Sequence, residues 1–240
     1  MKCDIYIFYI LKIDLRLYCI FYIDNMEDSY RPRIITIEGN IGAGKSTLVE
    51  TMRERYKNRN DIVFLQEPVD IWSTVTQDGK TMLELFYANP KKYSFAFQIM
   101  AYNTRLKLIQ DTINDIVSTN KDVKIVIMER SLDADKNIFA KMLFDDGLIE
   151  SCMYQIYLQM SDEGMKKYTA DGILWIDTPP DVCKERTISR KREGEEGISI
   201  DYLRKCDIYH KEWLSADTGF VYRIENEPNW DEIEKYTHIL

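Results

Sequence analysis

From about residue 31 onward, apolar residues gather in five short runs separated by longer stretches of helical period. The runs are Ile34–Glu38, Ile62–Glu67, Val123–Glu129, Ile173–Asp177 and Phe220–Glu225. Between the second and third, Phe95, Ile99, Tyr102, Leu106, Ile109 and Ile113 recur at steps of four and three, which draws an apolar stripe along one long helix. Short strands alternating with helices predict an α/β fold: a five-stranded, mostly parallel sheet covered by helices on both faces. The 240 residues suit one such domain and leave too little for a second core. With no repeat, low-complexity tract or linker in view, residues 31–240 are expected to form that domain.

The segment 1–30 departs from the pattern. It is dense in Ile, Tyr and Phe, yet Asp4, Lys12, Asp14 and Arg16 interrupt every apolar run. A spanning helix wants ~20 apolar residues with few charges, and a secretory signal wants an unbroken apolar core with a small-residue cleavage site. Neither condition is met. The segment therefore reads as a poorly ordered extension, or as sequence upstream of a start at Met26, and no membrane partner is expected.

Charge narrows the partners. The formal net charge is −8, whereas binding a duplex requires a surface that neutralises phosphates; long nucleic acid is not expected. A small nucleotide needs only a local cluster of donors. Cys3, Cys19, Cys152, Cys183 and Cys206 are scattered with no CxxC pair, which suits a reducing compartment and points to the cytoplasm. Cys183 and Cys206, on predicted helices, read as small buried hydrophobes. With His210 and His238 the only histidines, a zinc site or a histidine-based triad has little to draw on.

The chemistry concentrates at Gly39-Asn40-Ile41-Gly42-Ala43-Gly44-Lys45-Ser46, which fits G-x-x-x-x-G-K-[ST]. The apolar run Ile34–Glu38 precedes it, and Thr47 and the residues after it read as a helix. That order points backbone N–H groups and a helix N-terminus at one spot, where phosphate oxygens are stabilised. Lys45 would reach the terminal phosphates, and the Ser46 hydroxyl would join a Mg²⁺ shell. A phosphate loop alone names no acceptor.

Other charged residues stand where such chemistry could use them. Glu67 closes the second run before Pro68, at the strand end that faces the ligand crevice of a parallel sheet. It could accept a proton from an attacking hydroxyl; on position alone it reads equally well as a surface glutamate. Glu129 is the carboxylate available to Mg²⁺ at the end of the third run, with Arg130 beside it. Arg186 and Arg190 share one helix face and could close over a phosphoryl group, though composition alone also allows a solvated basic face. Gln98, Ala101 and Arg105 lie three and four apart beside the apolar stripe.

Together these segments resemble the deoxynucleoside kinase family. The matching stretches are GNIGAGKST at 39–47, EPV with Trp72 at 67–72, FAFQ at 95–98, ERS at 129–131, Asp135, Phe139, RTISRKR at 186–192 and EEGI…YL through 203. The resemblance implies a P-loop kinase with an arginine-rich lid that moves the γ-phosphate of ATP to a deoxynucleoside 5′-hydroxyl. It implies Glu67 as catalytic base with Arg130 beside it, and Glu129 and Ser46 at Mg²⁺. It implies Tyr87 and Glu195 at the sugar 3′-hydroxyl, Trp72 by the base, Gln98 at the base edge and Phe139 stacked on it. Arg186, Arg190 and Arg192 match the lid arginines. Arg105 and Asp135 match a pair found in relatives that prefer deoxycytidine and purine deoxynucleosides over thymidine. Family members are homodimers, so a homodimer is expected. Two rivals stay open at this level: a nucleoside monophosphate kinase of the thymidylate kinase type, and a P-loop ATPase or switch acting on a macromolecular partner.

Overall fold

In a computed structural model that describes residues 31–119, 122–195, 197–215, 220–225 and 227–239, the chain opens with β1 (Arg33–Gly39), α1 (Lys45–Arg55), β2 (Ile62–Leu65) and α2 (Val69–Thr74). A hairpin of β3 (Thr76–Gln77) and β4 (Lys80–Thr81) leads to α3 (Met82–Ala88) and the long α4 (Pro90–Ser118). Then come β5 (Ile125–Glu129), α5 (Leu132–Ala134), a π-helical turn (Asp135–Ala140), α6 (Lys141–Asp145) and α7 (Ser151–Lys167). The chain closes with β6 (Gly172–Ile176), α8 (Pro180–Arg190), α9 (Ile200–Leu214), β7 (Val221–Ile224) and α10 (Trp230–Thr237). These elements belong to one contact unit, Arg33–Leu240. The extension expected at 1–30 lies outside the described residues.

The sheet has the order β2-β5-β1-β6-β7, and every pairing is parallel. Successive side chains of a strand point to opposite faces, so each strand feeds two cores. Ile34, Val126 and Met128 join Tyr102, Ile109 and Ile116 of α4 and Tyr157 and Met165 of α7. Ile35, Ile37, Ile125 and Ile127 join Leu48, Val49 and Met52 of α1 and Ile233 of α10. Both faces are thus covered, and strands buried on both sides read as the near-continuous apolar runs seen in the sequence.

The five expected strands all form: β1 extends one residue further at each end, β6 is shifted back by one, and the other three are shorter. β2 stops at Leu65, so Glu67 stands beyond the strand rather than closing it. The run at Val123 becomes strand only from Ile125, and the last run is strand over Val221–Ile224. The helical stripe is real: Tyr102 and Ile109 are fully buried, while Phe95, Ile99, Leu106 and Ile113 pack partly against the same core. Among the described residues no helix is long and apolar enough to cross a membrane.

β1 is the central strand, with β5 and β6 on either side. Ile37 is level with Glu129 and Leu174, so the segments leaving the carboxyl ends of β1 and β5 emerge side by side. Chain order reverses here: β1 leads away to β2 on one side, and β5 to β6 on the other. In open α/β sheets this is the crevice where ligands bind.

Candidate active site

The loop after β1 turns sharply enough to need glycine. Gly42 has φ 81°, and a Cβ placed there would meet the Cys183 carbonyl oxygen at 2.5 Å, so the loop lies directly against α8. Gly44, at φ 109°, occupies the N-cap of α1, whose first N–H groups have no partner within the helix. Asn40 anchors the loop from the other side: its Nδ2 donates to the Leu203 carbonyl at 2.8 Å and its Oδ1 accepts from the Ile41 N–H at 2.8 Å.

Lys45 lies buried across this loop. Its ammonium donates to the Gly39 carbonyl at 3.1 Å and to the Asn40 carbonyl at 2.9 Å. Burial, reinforced by Arg130, pulls its pKa down to about 8 against the attraction of Glu129 and Glu67. One residue on, the Ser46 hydroxyl donates to Glu129 Oε1 at 2.9 Å, which puts two hard oxygen donors side by side at the mouth of the loop.

Glu67 enters from the turn after β2. Arg105 donates to its Oε1 at 2.6 Å from α4, and Arg130 Nε donates to the same oxygen at 3.1 Å from the end of β5. Burial pushes the Glu67 carboxyl up, but Arg130, Arg105 and Lys45 outweigh it and hold the pKa at about 2. Arg105 also pairs with Asp135 on the π-helical turn, and both side chains are almost completely buried. One guanidinium therefore links Glu67 with Asp135.

Lys45, Glu67, Arg105, Glu129, Arg130 and Asp135 line a single cavity. Its walls include Ile41, Gly42, Lys45, Glu67, Trp72, Tyr87, Gln98, Arg105, Glu129, Arg130, Asp135, Phe139, Arg190, Arg192 and Glu195, all singled out in the sequence. Trp72 is fixed by a 2.9 Å hydrogen bond from its indole N–H to the Thr104 hydroxyl and by edge contact with Phe97. The Arg130 guanidinium lies 4.6 Å from the centre of the Phe139 ring. Gln98 is 2% exposed, and its Oε1 has no hydrogen-bond partner. A buried amide oxygen left unpaired in a cavity wall is a recognition group in waiting. Burial pushes the Tyr87 hydroxyl well above its usual pKa, with Cys206, Glu195 and Glu67 adding to the effect, so it stays a neutral donor.

The basic segment that ends α8 and continues to Arg192 divides its labour. Arg190 and Arg192 both pair with the buried Glu195 and line the cavity. Arg186 instead donates to the Ala43 carbonyl at 2.9 Å, bracing the loop from outside, and Thr47 is exposed on the first turn of α1; neither lines the cavity. The walls also contain Val69, Leu83, Phe97, Ala101 and Tyr202, none of which was named as a site residue from sequence. Val69, Phe97 and Tyr202 fall within the matching stretches EPV, FAFQ and YL, and Ala101 lies between Gln98 and Arg105 on their helix; Leu83 carries no such mark.

The arrangement combines a phosphate cradle, clustered cations in an acidic chain, and a carboxylate facing a flat cavity walled by aromatic rings and one amide. Comparison with known proteins agrees. A family model described as deoxynucleoside kinase matches residues 35–237. A probable deoxycytidine kinase of fowlpox virus is 34% identical over 193 residues, covering 79% of this chain and 75% of the relative. Human deoxycytidine kinase is 30% identical over 212 residues, 80% of each chain. The mitochondrial deoxyguanosine kinase of Xenopus laevis is 28% identical over 211 residues, covering 81% and 77%.

Proposed function

The chain belongs to the deoxynucleoside kinase family and is an ATP-dependent deoxynucleoside kinase; from that premise we propose how its cleft divides the work and which nucleosides it prefers. The triphosphate of ATP lies on the amides of the loop, with Lys45 turning from its own carbonyls to the terminal phosphates. Arg190 and Arg192 leave Glu195 to meet charge on the transferring group, and Arg186 steadies the loop beneath. The nucleoside enters the aromatic cavity, its base between Phe139 and Trp72 with an edge on Gln98, and its 3′-hydroxyl at Tyr87 and Glu195.

Glu67 then accepts the proton of the 5′-hydroxyl. A carboxylate with a pKa near 2 is a weak base, which suits a loose phosphoryl-transfer transition state in which the attacking oxygen gives up its proton late. The Arg105 and Arg130 guanidiniums keep it ionised and aimed. Ser46 and Glu129, 2.9 Å apart, fit Mg²⁺, which takes oxygen ligands and keeps much of its water. When bound, the ion supplies neutralisation of the phosphate oxygens. The observation that supports this reading most is that Glu67, held by two arginines, and Lys45, lying across the phosphate loop, line the same cavity.

The Arg105–Asp135 pair supports a preference for deoxycytidine or purine deoxynucleosides over thymidine. An ionised aspartate only accepts hydrogen bonds, so it welcomes an exocyclic amine and repels the carbonyl that thymine presents instead. Replacing Arg105 by Met and Asp135 by Ala should raise the thymidine-to-deoxycytidine ratio of kcat/KM by at least about tenfold. Absolute turnover should fall, since Arg105 also holds Glu67. Competition assays with all four deoxynucleosides and Mg-ATP read this directly, and a ratio unchanged by the double substitution would refute the pocket assignment. Deoxycytidine monophosphate, tested as acceptor, should yield no diphosphate. A cytoplasmic location is part of the same proposal, supported by the free thiols of Cys152, Cys183 and Cys206; cell fractionation tests it, and recovery in an organelle would contradict it.

A further inference from the structure

Glu38 has no part in the site described above, yet it is completely buried in the central strand, immediately before the phosphate loop. A carboxylate there is costly unless it is paired or hydrogen-bonded, and an apolar residue would serve the core better. Its partners show what it holds. Oε1 accepts from the Ser131 backbone N–H at 2.8 Å. The Ser131 oxygen in turn accepts from the Ala134 N–H at 3.0 Å, capping α5. Oε2 has no hydrogen-bond partner, and burial raises the pKa of the carboxyl against the pull of Arg130 and Lys45.

Between Glu129 and Ser131 the backbone does something unusual: Arg130 has φ 65°. A left-handed conformation in a long, non-glycine side chain is unfavourable and persists only when neighbours over-determine it. β1 supplies two fastenings, the Ile37 carbonyl that accepts from Arg130 N–H at 3.0 Å and the Glu38 carboxylate on Ser131. The turn so fastened carries Glu129 to Ser46, Arg130 to Glu67, and Asp135 to Arg105.

We propose that Glu38 is a positioning residue for phosphoryl transfer: from β1 it clamps the turn after β5 and thereby sets the angle at which Arg130 and Glu129 meet the reacting groups. The inference rests on the roles assigned to those two residues under the proposed function. It predicts a rate effect separable from binding and stability. A displaced catalytic group lowers turnover, whereas the loop and base pocket that bind ATP and nucleoside are built largely from other segments.

The test compares purified Glu38→Gln, Glu38→Leu and Glu38→Ala with wild type in Mg-ATP and deoxycytidine, with thermal midpoints measured in parallel. Glu38→Leu should lower kcat on the order of 100-fold, with both KM values within about threefold and the loss not accounted for by unfolded protein. Glu38→Gln keeps an acceptor for Ser131 and should recover most of that loss. The proposal is overturned if Glu38→Leu turns over within about twofold of wild type, or if its loss matches its unfolded fraction. If Glu38→Leu does not fold, Glu38→Ala, which removes the same acceptor with less bulk, decides, and its turnover at the wild-type rate refutes the clamp. Wild type inactive on every deoxynucleoside would instead sink the functional reading beneath it.

Discussion

Glu67 owes its acidity to the two guanidiniums that donate to one of its oxygens. Burial alone would raise its carboxyl; Arg130 and Arg105 reverse that and hold it at about 2, below the ordinary 4.5. For a carboxyl depressed on folding, the stabilising contribution is fully present above its unfolded pKa and drains away as pH falls through the folded value. Glu67 thus favours the native state above about pH 4.5 and loses that contribution toward pH 2. Catalysis follows the same sign: the base is already ionised throughout the working range. kcat/KM for deoxycytidine should therefore show no acid limb from Glu67 between about pH 5 and pH 8. A pH–rate profile in that range with a limb near pH 6 that disappears in Glu67→Gln would contradict the assignment.

At the scale of elements, the phosphate loop is held between α8, α9 and the ends of β1 and β6, and its geometry leaves no room for a methyl group at Gly42. A Cβ there would lie 2.5 Å from the Cys183 carbonyl and 3.0 Å from Thr187 Cγ2, at a φ that L-residues avoid. Gly42→Ala should destabilise the fold by more than ~1 kcal/mol, or about 2–4 °C per kcal/mol in a domain of this size, and should weaken ATP. Thermal melts with and without Mg-ATP check both, and an unshifted midpoint would mean that the loop yields easily.

Elements marked by local pattern were readable before any coordinates: the strand runs, the stripe on α4 and the loop. Strand ends were less so, because an apolar run continues past the last ladder bond; Glu67 and Val123 were absorbed into strands for that reason. The β3–β4 hairpin has two-residue strands, too short for any period to emerge. Thr81 and Glu84, by contrast, form a capping box at the start of α3, and the T-x-x-E spacing was there to be used. The π-helical turn that presents Asp135 and Phe139 shifts the helical period, which spacing arguments do not detect. Arg105 bridging Glu67 and Asp135 arises only when α4 crosses the ends of β2 and β5, so no local pattern contains it. Arg186 and Arg190 lie on one helix as their spacing implied, but the turn at Lys191 (φ 51°) brings Glu195 back to Arg190, while Arg186, one turn earlier, reaches the Ala43 carbonyl.

For the molecule as a whole, an acidic chain builds a locally cationic cleft. The net charge of −8 disfavours polyanion surfaces, while Lys45, Arg105, Arg130, Arg190 and Arg192 converge on one cavity. We infer from the family resemblance that the enzyme is a homodimer; sedimentation should then give twice the 28.5 kDa chain mass, and a single-chain value at micromolar concentration would refute it. The central claim is that Glu67 faces the sugar hydroxyl beside an ATP gripped by the loop. The most direct measurement is single-turnover phosphorylation of deoxycytidine by wild type and Glu67→Gln, each saturated with Mg-ATP. Loss of the general base should slow the chemical step about 10²–10⁴-fold while ATP affinity stays within a few-fold; Glu67→Gln phosphorylating at the wild-type rate would contradict the account.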